Sequence, residues 1–350
     1  MIMMITIYLV HSNPQQSLTK TMLSDSEHQD FIKSGRTYSQ TTDKADGADN
    51  LSYGITQDHV DAATGDDFMR IQDAIQAERR QRVAETCRRH PRQQRDVLHD
   101  PPQNIIVDIP HKIFFCFVPK VACTSWKKVF LVLKGIVESV YDVNQYQVNH
   151  KLQRRLDFFA NQTYAEREAI LANFTKFMVA REPFARVLSA YLNKLSPNTT
   201  FSRAKHWQRE IGEEITRHFY EESTIGLSGG YNVTFADFVR FLSAKEPMRK
   251  QQNRHWNELH EMCAPCDIDY DVIGKFETMS TDAEYILRLF NLVDLVDFPS
   301  ANGSSPTGSS SKVEQFYSRL SAEDIKALYE RYRLDFELFG YDVPERVDDA

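Results

Sequence analysis

The 350-residue sequence is short of several things. It carries five cysteines, too few for a disulfide framework in a chain of this length, and the odd count leaves at least one thiol unpaired within the monomer. It has no excess of positive charge. Its 42 Lys+Arg stand against 49 Asp+Glu, a formal charge of -7, which argues against binding nucleic acid through a generally basic surface but leaves room for local basic grooves. Long apolar runs are also missing. Met1–Val10 (MIMMITIYLV) falls well short of the roughly 20 residues of a membrane-crossing helix. No Lys or Arg precedes it and no clear small-residue cleavage site follows, so it reads as a truncated signal-anchor or as an N-terminus with no targeting role. Against these absences, 41% of the residues are hydrophobic, enough to bury a substantial core.

Sequons begin at Asn50, Asn161, Asn173, Asn198, Asn232 and Asn302, more than composition alone predicts, and favour passage through a secretory lumen. Residues 11–103 read as a flexible stem, polar and acidic to about Asp66. Within that stem Asp67–Arg89 has the apolar spacing of a helix (Phe68, Ile71, Ile75, Val83) and ends in the basic run Cys87-Arg88-Arg89-His90. Ordered structure is expected from about Asn104, giving a catalytic domain over 104–345.

In that domain Ile113–Val118 is a continuous apolar run, the pattern of a strand buried on both faces of a parallel sheet, ended by Pro119. Trp126, Val129, Phe130 and Leu133 then recur at helical spacing, and Gly135 closes that helix. A second strand–loop–helix unit follows: Thr175–Ala180, then Arg181-Glu182, then Pro183 opening a helix through Phe184, Val187, Leu188 and Tyr191. Further elements are a helix over Phe235–Leu242, a strand over Tyr270–Phe276, a helix over Thr281–Phe290 capped by Ser280 or Thr281, and a helix capped by Ser321 running to Tyr332. Ser300–Ser311 is a low-complexity surface loop. The class is α/β, a central parallel sheet flanked by helices, with ligands expected at the strand ends.

Two strand ends carry chemistry. Pro119 to Lys128 (PKVACTSWKK) places Lys120, small residues and the Thr124 and Ser125 hydroxyls between a buried strand and a helix N-terminus, where free backbone N–H groups and the helix dipole favour an anion. The glycines of a GxxxxGK[ST] loop are absent, which removes most of the support for an ATP-using kinase or ATPase. Arg181 sits at the second strand end and Ser189 two turns into the next helix, so both could reach one phosphate. The two sites together suit a ligand with two separated anionic groups.

Phe115–Gly135 (FCFVPKVACTSWKKVFLVLKG) resembles the 5'-phosphosulfate loop of Golgi carbohydrate sulfotransferases of the chondroitin 4-O-sulfotransferase and HNK-1 sulfotransferase family, and Lys176–Leu195 resembles their 3'-phosphate motif. Asn253–Trp256, Met262–Thr278 and Leu334–Tyr341 are similar to the family's C-terminal blocks, in the same order. The departures are the serine-rich loop and the missing full-length anchor. The resemblance implies a P-loop-like sulfotransferase fold, 3'-phosphoadenosine 5'-phosphosulfate as donor, no metal, and a lumenal catalytic domain on the Golgi membrane. It implies that Lys120, Val121, Ala122, Cys123, Thr124, Ser125, Trp126 and Lys127 hold the 5'-phosphosulfate, with Lys120 also catalytic, and that Arg181 and Ser189 hold the 3'-phosphate. The acceptor it implies is an anionic glycan, with O4 of N-acetylgalactosamine in chondroitin or dermatan as the first reading. Alternatives are a glucuronic acid or N-acetylgalactosamine terminus of a glycoprotein glycan, or a glycan-binding module without turnover.

The base is less legible. His255 is the first candidate because imidazole titrates near neutrality; a structural histidine beside Trp256 is the competing reading, and Glu182 and Glu277 are further candidates. His255, His260, Cys263 and Cys266 also have the makings of a Cys₂His₂ zinc set, though in an unusual order, and disulfides are the preferred reading of the two cysteines. Cys116 reads as a small apolar residue inside the sheet, and the thiol state of Cys123 is open. Lys151, Arg154, Arg155, Arg203, Lys205, Arg249, Lys250 and Arg254 would attract an anionic glycan if they lined one groove.

Overall fold

A computed structural model describes residues 65–91, 94–200, 203–219, 233–244, 251–299 and 310–347. The apolar N-terminus, most of the expected stem, the sequons at Asn50, Asn232 and Asn302, the cations Arg249 and Lys250, and nearly all of the serine-rich loop lie outside the described residues. The three described sequon asparagines, Asn161, Asn173 and Asn198, are exposed. Among the described residues no helix is long and apolar enough to cross a membrane.

Five strands form one sheet in the order β3-β1-β2-β4-β5. β1 is Ile105–Asp108, β2 Ile113–Cys116, β3 Asp157–Phe158, β4 Thr175–Ala180 and β5 Val272–Lys275. β2, β4 and β5 run parallel, as expected, while β1 lies antiparallel to both β2 and β3, so the sheet is mixed rather than wholly parallel. The reason is local. Asp108 accepts hydrogen bonds from the backbone N–H and the ring Nδ1 of His111, Lys112 takes a left-handed φ of 54°, and the chain reverses into a hairpin instead of crossing over.

Alternation along the strands separates two cores. Phe115 stacks on Phe177 at 4.4 Å and on Phe130 of helix α2 (Cys123–Leu133) at 5.7 Å, with Trp126 edge-on to Phe177 at 4.8 Å. Phe114 points the other way, to Phe159 and Tyr270, and its face-mate Cys116 forms a disulfide with Cys263. Cys116 is therefore a cross-link between sheet and short helix Leu259–Cys263, not a lone apolar thiol. A second buried cluster joins α4 (Pro183–Lys194), α5 (Phe235–Ser243) and α7 (Ala322–Phe339) around Phe238, Trp256 and Tyr332. The remaining long helices are α3 (Tyr164–Asn173) and α6 (Met279–Leu289).

Helix α1 (Gly65–Arg89) corrects one expectation. The sequence placed it in a flexible stem, yet it closes the open edge of the sheet. Gln76 Oε1 accepts the N–H of Ile273 and Arg79 donates to the Ile273 carbonyl, both at 2.8 Å, so the outward groups of edge strand β5 find partners in side chains of α1. Arg79 also pairs at 2.8 Å with Asp282, whose other oxygen accepts the N–H of Lys275 and the hydroxyl of Thr278. A second disulfide, Cys87–Cys266, ties the end of α1 to the core. The hydrophobic spacing of this helix is too sparse to announce burial; polar side chains dock it.

Candidate active site

The C-terminal ends of β2 and β4 deliver Lys120 and Arg181 to one place. Arg181 donates to the backbone carbonyl of Lys120 at 2.7 Å, its guanidinium lies 4.1 Å over the Phe276 ring at the end of β5, and the residue is 3% exposed. The two anion sites inferred from sequence are thus one bonded unit. Lys120 and Ala122 both adopt left-handed backbone, φ 72° and 48°, a conformation that non-glycine residues hold only when their surroundings enforce it. Arg181 is one enforcing contact. Arg186 is another, and sequence reasoning missed it: fully buried on α4, it donates to the carbonyls of Pro119, Arg254 and Asn257, fastening the loop to the 253–257 segment. Its only sequence signal was an arginine amid the apolar residues of a core helix.

Helix α2 opens at Cys123 with Ala122 as N-cap and no side-chain cap. Its first N–H groups face the strand ends, the arrangement that receives an anion. Thr124 Oγ accepts from Asn149 at 3.0 Å, which leaves its proton to donate. Ser125 is half-buried, and Cys123 is the one free thiol among the cysteines. Val121 and Trp126 are buried; the Val121 N–H donates to Val118, the Trp126 N–H donates to Ala122, and the Trp126 ring sits in the core against Phe177 and Phe298, so neither offers a free backbone N–H to the cradle. Lys127 points elsewhere. Its Nζ is bonded to Gln153 at 2.7 Å and Asn149 at 3.2 Å and lies over Phe117, which makes it the anchor of the 148–155 segment rather than a visible part of the cradle. Ser189 is buried two turns into α4.

The electrostatics are mainly positive, with Glu277 and Glu182 opposing the shift at Arg181. Burial, then Arg181, lowers Lys120 to about 8, with Lys194 and Arg186 adding to the effect. Burial, then Arg254 and Arg203, lowers Lys194 to about 8. Arg181 is lowered to about 10, chiefly by burial. His255 is pushed down to about 2 by burial and by Lys194, Arg254, Lys120 and Arg186, all positive. A basin of crowded cations, with the Nε of buried Arg181 lacking a partner among the described residues, fits a polyanion.

His255 has a defined tautomer. Asn253 Oδ1 accepts the backbone N–H of His255 at 3.0 Å, so that atom is oxygen, and the ring Nδ1 at 2.9 Å from it must donate. Nε2 then carries the lone pair a base requires. Glu182 and Glu277 are committed otherwise: both oxygens of Glu182 cap α4 through Phe184 and Ala185, and Glu277 accepts from the Glu182 N–H and the Tyr341 hydroxyl. The zinc set is dismantled, because Cys263 and Cys266 are bonded to Cys116 and Cys87, and His260 pairs with Asp335 at 2.7 Å. Of the scattered cations, Arg203 and Arg254 border the basin.

Residues 103–342 match the family model described as the sulfotransferase family. Among curated proteins the chain is 32% identical over 292 residues to carbohydrate sulfotransferase 11 of Rattus norvegicus, covering 76% of each. It is 36% identical over 250 residues to carbohydrate sulfotransferase 10 of Xenopus laevis, covering 69% of this chain and 68% of that protein. It is 35% identical over 245 residues to carbohydrate sulfotransferase 14 of Danio rerio, covering 69% and 63%. No solved structure matches the chain. An uncapped helix behind a buried strand, a lysine and an arginine locked together at adjoining strand ends, and these relatives lead to one conclusion: the chain belongs to the sulfotransferase family, as an enzyme of its carbohydrate-directed branch.

Proposed function

We propose that the protein transfers a sulfuryl group from 3'-phosphoadenosine 5'-phosphosulfate to a hydroxyl of an anionic glycan, O4 of N-acetylgalactosamine in chondroitin or dermatan. The observation that carries the proposal is the Lys120–Arg181 unit beside the open N-terminus of α2, two linked cationic centres for a donor with two anionic ends. The N–H groups and hydroxyls of residues 123–125 take the 5'-phosphosulfate, and Arg181 with Ser189 takes the 3'-phosphate.

Chemistry follows from placement and charge. The acceptor oxygen attacks sulfur as the bridging S–O bond breaks, and the bridging oxygen leaves with adenosine 3',5'-bisphosphate. Lys120 stabilises the negative charge growing on that oxygen. The acceptor proton passes to His255 Nε2. Burial depresses His255 most, and Lys120 is among the cations that add to it; the donor neutralises Lys120, so donor binding strengthens the base when it is needed. Two disulfides and the exposed asparagines of the three described sequons support the lumenal, Golgi setting that the family resemblance implies.

The test incubates the full chain with ³⁵S-labelled donor and a panel of desulfated chondroitin, dermatan and glucuronyl-terminated glycans, beside Lys120→Ala. Label at O4 of N-acetylgalactosamine, reduced by about 10²-fold or more in the variant, is the expected result. Label on terminal glucuronic acid would reassign the acceptor, and equal labelling by Lys120→Ala would overturn the mechanism.

A further inference from the structure

A strip of cations and rings leads away from His255 and is not used by the donor chemistry above. Trp207 meets the His255 ring edge-on at 4.8 Å, and Lys194 Nζ lies 4.7 Å over Trp207. One turn earlier, Arg203 holds its guanidinium 3.5 Å from Nδ1 of His150, whose ring packs 4.9 Å from Tyr146. Tyr146 is 53% exposed, and its helical neighbour Asn149 bonds Thr124 of the donor loop, so the strip begins at the donor and passes the base. Arg254, next to His255, is exposed on the same side.

The charge pattern separates these arginines from the rest. Arg79, Arg240, Arg288 and Arg331 each meet a carboxylate. Among the described residues no carboxylate pairs with the Arg203 or Arg254 side chain, although burial and then Arg203, Lys194 and Arg254 already lower His150 below its ordinary range. Two guanidinium forks with no carboxylate partner among the described residues, held in a shared positive field beside the exposed Tyr146 ring and the half-buried Trp207 ring, match a planar anion carried on a sugar.

We infer that Arg203 and Arg254, with Tyr146 and Trp207 as ring platforms, form an acceptor subsite that reads the carboxylate of a uronic acid adjoining the sugar to be sulfated. The inference rests on the proposed function and specifies its acceptor. Arg203 and Arg254 are specificity residues; they select the sugar whose neighbour is charged.

The experiment compares a chondroitin oligosaccharide of defined length with its carboxyl-reduced counterpart. The wild-type full chain should favour the carboxylate form by about tenfold in kcat/KM, the scale of one charge-assisted hydrogen bond. Arg203→Gln and Arg254→Gln should each cut that preference to below about threefold through the acceptor KM, while Tyr146→Ala lowers kcat/KM for both acceptors alike. A thermal shift with adenosine 3',5'-bisphosphate shows that each variant is folded. A wild-type ratio near one, or a ratio untouched by both arginine variants, overturns the inference. A third acceptor, carboxyl-reduced but sulfated on the neighbouring sugar, separates anion sources: full recovery there reassigns the subsite to sulfate. Should wild type label nothing, the proposed reaction fails, and anisotropy of the fluorescent oligosaccharide pair decides the subsite independently. Equal binding of the two then rejects it.

Discussion

Helices α2 and α4 both follow a parallel strand and both begin beside the same basin, but their N-termini are treated oppositely. That of α4 is closed, since Glu182 presents its own carboxylate to the N–H groups of Phe184 and Ala185. That of α2 is left open behind Ala122. A helix end that already holds a carboxylate gains little from a phosphate, so at β4 the anion must be met by the Arg181 side chain, whereas at β2 the backbone can do it. In the proposed donor site the two halves therefore work by different physics despite equal topology.

The comparison breaks most sharply at Lys120 and Arg181. Lys120→Ala should lower kcat by about 10²-fold or more, and Arg181→Ala should weaken donor binding and also release the Lys120 carbonyl, so that both kcat and donor KM suffer in steady-state kinetics. Next comes closing the open helix. Ala122→Asn and Ala122→Asp both tolerate the left-handed backbone, but only Asp adds a charge. Asp should weaken adenosine 3',5'-bisphosphate by about tenfold relative to Asn in a calorimetric titration, and equal affinities would show that the α2 terminus is not the receptor.

A smaller effect concerns pH. Lys120, lowered to about 8, loses charge above that value, so affinity for the same bisphosphate should be level through pH 7 and decline on passing about pH 8. The smallest is at the closed helix. Burial raises Glu182 to about 7, above its unfolded value, so its contribution to stability is full below about 4.5 and is lost as pH rises through 7. Relative to Glu182→Gln, the wild-type Tm should fall between pH 5 and 7.5; a constant difference would contradict the burial-driven shift.

Much of this was legible in the sequence. The apolar runs at 113–118 and 175–180 mark buried strands because only a doubly covered strand tolerates unbroken hydrophobicity, and both lie where expected, the first as a strand over 113–116. Ser321 caps its helix as expected, though Thr278, not Ser280 or Thr281, precedes α6, and α7 runs on to Phe339. Lys120 and Arg181 could be named because each ends such a strand. What escaped was everything settled by contacts distant in sequence. Cys116 pairs with a residue 147 positions away, Gln76 and Arg79 find a strand edge about 194–197 positions on, and Lys127, identical in type to Lys120, turns to Asn149 and Gln153.

Local pattern, then, determined the strand–loop–helix units, the polarity of their ends and the residue types offered to an anion, since these depend on side chains a few positions apart. Only the tertiary structure decided which lysine faces the basin, that Arg186 and Arg181 brace the loop, that His255 turns Nδ1 to Asn253 and leaves its lone pair on Nε2, and that α1 belongs to the sheet. Each of those outcomes is a choice among partners of similar chemistry. The choice is made by which distant backbone carbonyl or carboxylate the fold brings within hydrogen-bond reach.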